Sequence, residues 1–183
     1  MHNCRFCNEP LIHTFVDLGF QPLSNSLLTK EQLEEPEITY PLKVYICNSC
    51  FLVQLPEVKK ATDIFNSDYP YFSSYSKTMV DHAKEYVEMI IPRLGLNKKS
   101  NILEIASNDG YLLQHFPKGL HVWGVEPAEG PAHEERKKGI GTSIEFFGTQ
   151  LVKEYGLKAD LLIANNVLAH VRNLNDFVEG LKL

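Results

Sequence analysis

The sequence predicts an α/β protein in which a small four-cysteine module precedes a parallel β-sheet. All four cysteines fall in two Cys-x-x-Cys pairs, and from residue 101 onward strand-like apolar runs alternate with helix-like segments. That alternation is typical of βαβ units with right-handed crossovers. We expect the cysteine module at residues 1–60, an aromatic linker and a long helix at 61–97, and the sheet at 98–183.

The composition is that of an ordinary globular protein. The chain has 183 residues and a formal net charge of −5, so it shows no basic footprint for nucleic acid. It contains no apolar run of membrane-spanning length, and its N-terminus lacks the apolar core of a signal peptide. We therefore expect a cytoplasmic protein that binds neither nucleic acid nor a membrane.

The first element is the cysteine module, with one pair at Cys4 and Cys7 and the other at Cys47 and Cys50. Two residues between thiols let both sulfurs face one metal, so two pairs predict a tetrahedral Zn²⁺ site. A closed site of this kind has a structural role. The alternatives are two disulfides, which a cytosolic chain disfavours, or a redox pair, which would be single and at a helix start.

Two strands are predicted beside the second cysteine pair, in the runs TYPLKVYIC and FLVQL. Residues 61–75, ATDIFNSDYPYFSSY, are rich in aromatic side chains. These rings either pack between two domains or form a lid that presents a tyrosine hydroxyl to a ligand.

The next segment, SKTMVDHAKEYVEMIIPRL, predicts a long helix because its apolar residues recur at helical spacing. The apolar stripe consists of Met79, Val80, Ala83, Val87, Ile90, Ile91 and Leu94. Pro92 and Gly95 are expected to end the helix.

The sheet region predicts four strands with helices between them. The strands are NILEIA, HVWGVEP, SIEFFG and the start of ADLLIANNVLAHV; the helices are GYLLQHF, PAHEERKKG, TQLVKEYG and NLNDFVEGLKL. Thr149 is the expected N-cap of the third of these helices. Phe146 and Phe147, at the end of the third strand, either flank an adenine or pack in the core.

Polar side chains collect where these strands end, which is where parallel sheets bind ligands. They are Glu104, the turn Ser107–Gly110 before a helix N-terminus, Glu126, Asn165 and Asn166. The turn has one glycine and one acid, Asp109. A pyrophosphate needs several glycines so that the backbone can approach it closely, and the negative charge of Asp109 would repel it. An acidic turn suits a cationic ligand, and Glu126 can bind both ribose hydroxyls. We therefore predict a pocket for S-adenosylmethionine; the alternative is a ligand-free sheet with incidental carboxylates.

Five motifs follow one another along the chain: DLGFQPLSNSLL, DYPYFSSYS, EIASNDGYLL, GVEP and NNVLAHV. Together with the four cysteines they resemble the zinc-containing C-methyltransferases that act on nucleotide-linked deoxysugars. The resemblance implies a class I, Rossmann-like methyltransferase domain that uses S-adenosylmethionine. It also implies a sheet of seven strands and a C-terminal domain that completes the sugar site. We therefore expect this chain to be a fragment, or a truncated product, with an incomplete active site.

The resemblance also implies roles for individual residues. The methionine part of the donor would be held by Glu104, Ala106, Ser107, Asn108, Asp109 and Gly110. Glu126 would hold the ribose with Pro127 beside it, and Asn165 and Asn166 would lie next to the pocket. Ala106 stands where the family pattern has glycine, so a positive φ at this residue would be strained. Tyr75 and His170 are implied as active-site residues.

For the intact enzyme the resemblance implies that a base removes the proton α to the ketone of a nucleotide-linked sugar, giving an enolate that takes up the methyl group. Histidine is a side chain that can move protons near neutral pH, so His170 is a candidate for this transfer; the alternative is a loop histidine that only hydrogen-bonds to backbone. Tyr75 either polarises the keto oxygen or binds the donor's carboxylate. Competing functions are a non-catalytic zinc and Rossmann binding module, and a methyltransferase with another small-molecule acceptor. A zinc-finger nucleic-acid binder is disfavoured by the acidic charge balance.

Overall fold

The computed structural model describes residues 2–67 and 69–183. Asp68, the first residue of the DYPYFSSYS motif, lies outside the described residues. The chain divides into two compact units, one made of Met1–Ala61 with Arg172–Asn175 and the other of Thr62–Val171 with Asp176–Leu183. Within the described ranges, none of the helices has the length and apolar character needed to cross a bilayer.

The first unit contains a three-stranded antiparallel sheet. Its strands lie in the order β1 (His13–Gln21), β2 (Tyr40–Ile46) and β3 (Val53–Gln54). The run FLVQL predicts a longer third strand than the structure has. The strand is short because Phe51 has a φ of 62° and Leu52 accepts a hydrogen bond from the Cys47 amide, so both residues close the cysteine turn.

The second unit contains a four-stranded parallel sheet in the order β6-β5-β4-β7. These strands are β4 (Asn101–Ile105), β5 (His121–Val125), β6 (Gly141–Ser143) and β7 (Leu161–Ile163). The helices of the chain are α1 (Ala61–Ile64), α2 (Lys77–Leu94), α3 (Glu129–Lys137), α4 (Thr149–Tyr155) and α5 (Leu174–Lys182). The predicted fold class is therefore confirmed: an α/β chain with an N-terminal four-cysteine module and a parallel Rossmann-like sheet.

Helix α2 packs its apolar stripe against the sheet. Ala83, Val87 and Ile90 are buried in a core cluster with Ile102 of β4 and Ile163 of β7. Ser76 caps the N-terminus by accepting a hydrogen bond from the Met79 amide at 3.3 Å. At the other end Gly95 adopts the left-handed conformation typical of a C-terminal cap. Pro92 lies inside the last turn, so Gly95 alone ends the helix.

The segment GYLLQHF does not form the predicted α-helix. It makes a series of turns and a short 3₁₀ helix at Leu113–His115. Tyr111, Leu112 and Phe116 are buried in the core around α2. Pro117 disfavours helical backbone at the preceding residue, and Phe116 is indeed extended. The predicted helix N-terminus after β4 is therefore wrong.

The third strand of the sheet is also displaced from its prediction. It covers Gly141–Ser143 and ends where the predicted run SIEFFG begins. Phe147 leaves the sheet because it packs edge-on against Phe177 of α5, with ring centroids 5.3 Å apart. Gly148, rather than Thr149, occupies the N-cap of α4, and the Thr149 hydroxyl donates to Asp176.

Candidate functional site

The four cysteine sulfurs form one compact cluster. Their Sγ atoms all lie within 4.8 Å of one another, and the Cys4–Cys50 and Cys7–Cys47 pairs are each 3.5 Å apart. Zinc bound tetrahedrally at about 2.3 Å from each sulfur requires sulfurs roughly 3.8 Å apart. The cluster therefore fits zinc. All four thiols are free, so the structure contains neither of the alternative disulfides.

The two cysteine turns have the same local conformation. The residue after the second cysteine of each pair has a positive φ, which is 64° at Asn8 and 62° at Phe51. The amides of these residues donate to the carbonyls of Cys4 and Cys47 at 2.9 and 3.0 Å. Asparagine tolerates this conformation, whereas phenylalanine rarely adopts it. The strain at Phe51 is consistent with a turn whose shape is set by its sulfurs.

Gln54 supports the cluster from β3. Its side chain is buried, its Nε2 donates to the Cys4 sulfur at 3.1 Å, and its Oε1 accepts from the Arg5 amide at 2.9 Å. Burial acts to raise the pKa of the Cys4 thiol, but hydrogen bonds from the Cys7 amide and from Gln54 outweigh it and lower the pKa to about 6. A thiolate is the form that binds zinc. The sequence signal for Gln54 is only a polar residue at the end of an apolar run.

The turn that follows β4, residues 106–110, carries most of the residues predicted to bind the donor and is called the donor turn on account of that prediction. Ala106 and Asn108 each have a φ of 54°, and Gly110 has a φ of 72°. The Ala106 amide donates to the Val125 carbonyl at 2.7 Å, which fixes the turn to the end of β5. The left-handed conformation at Ala106 costs roughly 1 kcal/mol relative to glycine. The strain expected from the sequence is thus present.

The side chain of Asn108 binds residues 69–75, which form the aromatic segment before α2. Its Oδ1 accepts from the Ser73 amide at 2.8 Å, and its Nδ2 donates to the Tyr71 carbonyl at 3.1 Å. Lys138 makes a second connection, since its ammonium donates to the Ser74 hydroxyl at 3.1 Å and also to the Asp109 carbonyl. The residues that precede Tyr75 are therefore tied to the turn at two points.

Glu126 lies directly after β5, as predicted, but its carboxylate is buried. Oε2 accepts from the Asn108 amide at 2.9 Å, and Oε1 accepts from the Ala128 amide at 2.8 Å. Burial raises the pKa of Glu126, although these two hydrogen bonds lower it in part. Each carboxylate oxygen keeps a second acceptor position. A ribose contact by Glu126, with half-buried Pro127 next to it, stays a prediction.

Three further carboxylates are buried around the turn: Glu104 of β4, Asp109 of the turn and Glu135 of α3. Each has one oxygen without a hydrogen-bond partner in the described structure: Glu104 Oε2, Asp109 Oδ1 and Glu135 Oε1. Burial and the nearby charges of Glu135, Glu126 and Asp109 hold the pKa of Glu104 well above its usual range. Burial likewise raises the pKa of Glu135 to about 7. Unpartnered buried acids of this kind favour a cationic group beside them.

Glu135 was not predicted as part of the site. Its Oε2 accepts from the Ser107 hydroxyl at 2.7 Å, so it lies directly behind the turn. The signal available in the sequence is its position three residues after Ala132, which places an acid on the buried stripe of α3.

The other predicted residues lie at or near the surface. Asn165 donates to the Tyr111 hydroxyl at 3.3 Å, and Asn166 has a φ of 54° in the turn after β7. His170 ends a short 3₁₀ helix at Leu168–His170 and is exposed.

Tyr75 is 81% exposed, and its ring lies 5.2 Å from that of Phe72. It lines a cleft of about 480 Å³ together with Asp109 and Lys138. Glu104, Glu126 and His170 are not among the residues that line this cleft. The structure therefore brings Tyr75 to the donor turn through Asp109 but does not place His170 in the same cleft.

Residues 4–65, which include both cysteine pairs, match the family model "Putative zinc binding domain". Over 182 residues the chain is 29% identical to C-methyltransferase NovU of Streptomyces niveus, a match that covers 97% of this chain and 43% of the relative. The chain thus spans less than half the length of that curated relative.

Among solved structures, the chain is similar to magnesium protoporphyrin IX methyltransferase (ChlM) from Synechocystis PCC 6803 with bound SAM. The sequence identity is 17%, the TM-score is 0.43, and the match covers 66% of this chain and 62% of that chain. The zinc-binding family match and the identity to a C-methyltransferase confirm what the five sequence motifs predict: the chain resembles the zinc-containing C-methyltransferases.

Proposed function

We propose that this chain forms the zinc-binding and donor-binding part of an S-adenosylmethionine-dependent C-methyltransferase. The observation that carries the proposal is the pair of buried carboxylate oxygens without partners in the described residues at the turn after β4, Glu104 Oε2 and Asp109 Oδ1. A ligand with a cationic head supplies the partner that these oxygens lack. A dinucleotide would instead bring its phosphates against the same acids.

The residues of the turn fit the donor by charge and position. The unpartnered Oδ1 of Asp109 suits the ammonium of the methionine part, since Lys138 lies on the side of the other oxygen, 3.5 Å from Oδ2. Glu126 offers its remaining acceptor positions to the ribose hydroxyls. Asn165 and Asn166, after the neighbouring strand β7, lie beside the pocket. When bound, S-adenosylmethionine supplies the electrophilic methyl group.

We propose a nucleotide-linked keto-deoxysugar as the acceptor, in keeping with the sequence resemblance; the name of the relative supports only methyl transfer to carbon. His170 would accept the proton from the carbon α to the ketone, and the electron pair of that C–H bond would pass into an enolate. Tyr75 would donate its hydroxyl to the keto oxygen and so stabilise the enolate's charge. Both side chains are exposed, and because His170 does not line the cleft of Tyr75, the acceptor would extend beyond that cleft to reach it.

The cysteine cluster has a structural role in this proposal. Four thiolates complete the coordination shell of zinc, so the metal has no free position for a substrate. Zinc would hold the two cysteine turns together and so stabilise the module around β1, β2 and β3.

Thermal melting with added ligands tests the donor proposal. S-adenosylhomocysteine, the demethylated product, is expected to raise the melting temperature of the zinc-loaded chain, because a ligand that binds only the folded state stabilises it. NAD at the same concentration is expected to have no effect, because the acidic turn repels its pyrophosphate. Stabilisation by NAD alone would contradict the proposal.

Methyl transfer from labelled S-adenosylmethionine tests the acceptor proposal. A panel of nucleotide-linked sugars with and without a ketone is the decisive comparison, because only a keto sugar can form the enolate. Label on the keto sugars, and its loss in His170→Asn, is the expected result. Equal transfer to sugars that lack a ketone would point to another acceptor chemistry.

A further inference from the structure

Glu135 is a buried acid for which the proposed reaction has no direct use. Its side chain is fully buried, and it reaches from α3 to the back of the donor turn. Oε2 accepts from the Ser107 hydroxyl at 2.7 Å, whereas Oε1 has no partner within the described residues. Burying a carboxylate costs free energy unless the group is paired, hydrogen-bonded or neutralised.

Two glycines leave the space that this side chain occupies. A Cβ on Gly124 of β5 would lie 2.4 Å from Glu135 Oε1 and 2.5 Å from the Ser107 hydroxyl. A Cβ on Gly110, at the end of the turn, would lie 2.9 Å from Glu135 Cγ. The Glu135 side chain is therefore enclosed by β5 on one side and by the turn on the other.

The groups around Glu135 come from several elements. Glu104 of β4 and Glu126 after β5 face it with like charge, and Thr142 of β6 lies beside it, with its hydroxyl donating to the Ile140 carbonyl. Lys138, the residue directly after α3, is the nearby cation. Ser107 is the group through which Glu135 acts on the turn, because it is the turn residue whose side chain bonds to Glu135.

We propose that Glu135 is a positioning residue for the donor turn: by accepting the Ser107 hydroxyl beneath Gly124, it holds residues 106–110 in the shape that binds the donor. The inference rests on the proposed function, because it assigns Glu135 to the donor-binding turn. Glu135 does not touch the donor in this account. It sets the conformation of the residues that do.

A double-mutant cycle with S-adenosylhomocysteine as the probe tests the inference. Binding to the zinc-loaded chain is measured by calorimetry for Ser107→Ala, Glu135→Leu and the double variant. Each single change is expected to weaken binding about tenfold, and the double variant is expected to be no weaker than either, because both remove the same contact. Glu135→Gln keeps an acceptor oxygen and is expected to bind within about threefold of the unmodified chain. Glu154→Gln, an exposed acid on α4, is the matched control.

Several outcomes would overturn the proposal. Unweakened binding by Glu135→Leu, fully additive losses, or a Glu135→Gln chain as weak as Glu135→Leu would each remove the positioning role. If the unmodified chain binds no S-adenosylhomocysteine, the proposed function fails, and amide hydrogen exchange decides on Glu135 separately. Faster exchange at residues 107–110 in Glu135→Leu, with unchanged exchange in the core of α2, supports the role. Unchanged exchange in the turn contradicts it. Should Glu135→Leu not fold, the same exchange measurement on Ser107→Ala gives the decision.

Discussion

The side-chain Oδ1 of Asn108 accepts a hydrogen bond from the backbone N–H of Ser73 at 2.8 Å, although the two residues lie 35 positions apart in the sequence. The side-chain Nδ2 of Asn108 donates to the Tyr71 carbonyl, and its backbone amide donates to the Glu126 carboxylate. One residue thus joins the aromatic segment, the donor turn and the predicted ribose acid. In the proposed enzyme, this connection sets where Tyr75 lies relative to the donor.

Replacing Asn108 with alanine is expected to release the aromatic segment. The change removes two partly or fully buried hydrogen bonds to backbone and leaves alanine at a φ of 54°. We expect a loss of unfolding free energy of about 2 kcal/mol or more. Hydrogen exchange at the Ser73 amide is the direct readout and is expected to speed up. Asn108→Gly, which removes the same bonds without the strained φ, is the matched control and is expected to lose less. A Ser73 amide that stays protected in both variants would contradict the connection.

Replacing Ala106 with glycine is expected to stabilise the chain. Glycine adopts a φ of 54° without the steric cost that alanine bears there. The expected net gain is up to about 1 kcal/mol in the free energy of unfolding, because the greater freedom of glycine in the unfolded chain offsets part of the relieved strain; urea denaturation measures it. Ala159→Gly is the control, because Ala159 is exposed and is not among the residues with positive φ. There glycine is expected to destabilise the chain through its greater freedom in the unfolded state. Equal effects at both positions would show that the strain at Ala106 has no energetic consequence.

The buried acids predict how stability changes with pH. Folding raises the pKa of Glu135 from its ordinary value of 4.5 to about 7, so the folded chain holds its proton more tightly than the unfolded chain does. The contribution of Glu135 to stability is therefore greatest below pH 4.5 and falls as the pH rises to 7. The loss is on the order of 3 kcal/mol for a shift of this size. Burial raises the pKa values of Glu104 and Glu126 too, which adds to the effect with the same sign.

Glu135→Gln separates this contribution from the others. Its unfolding free energy is expected to fall less between pH 5 and pH 8 than that of the unmodified chain, because glutamine has no proton to lose in this range. Urea denaturation in excess zinc is the measurement, and the difference between the two chains cancels the titration of groups that they share. Glu154→Gln, the exposed control, is expected to follow the unmodified chain. Parallel pH profiles for Glu135→Gln and the unmodified chain would contradict the raised pKa.

Gln54 is expected to tune the metal site without binding the metal. Gln54→Leu removes the hydrogen bond to the Cys4 sulfur and leaves the Arg5 amide without its acceptor. Loss of such a supporting contact typically weakens metal binding about 10- to 100-fold. Chelator competition with Co²⁺ as a visible substitute for zinc measures this loss. Gln21→Leu, at an exposed residue on β1, is the control and is expected to bind as tightly as the unmodified chain. Cys47→Ser is expected to lose the metal with much larger effect, because it removes a ligand.

Local sequence patterns predicted the parts of the site that depend on local geometry. The spacing of Cys4, Cys7, Cys47 and Cys50 predicted the cluster, since two residues between thiols bring both sulfurs to one side of a turn. The alternation of strands and polar turns predicted that Glu104 and Glu126 lie at the carboxyl end of the sheet, because parallel strands bring their carboxyl ends together.

The parts that were missed depend on partners far away in the sequence. In the sequence, Glu135 is one of several acids in a polar helix. Only the packing of α3 against the turn shows that it accepts a hydrogen bond from Ser107. The sequence predicts that Asn108 binds the methyl donor, and nothing near it in the sequence indicates a hydrogen bond from the Ser73 amide. The run GYLLQHF fits a helix and a buried series of turns equally well until Pro117 and the core around α2 decide between them.

The measurement that tests the central claim most directly is calorimetric titration of the zinc-loaded chain with S-adenosylhomocysteine, beside Glu126→Ala and the exposed control Glu154→Ala. We expect one binding site in the unmodified chain and in Glu154→Ala, and loss of binding in Glu126→Ala because the ribose hydroxyls lose their acceptor. No binding by an unmodified chain that unfolds cooperatively, or equal binding by all three chains, would contradict a donor pocket at the ends of β4 and β5.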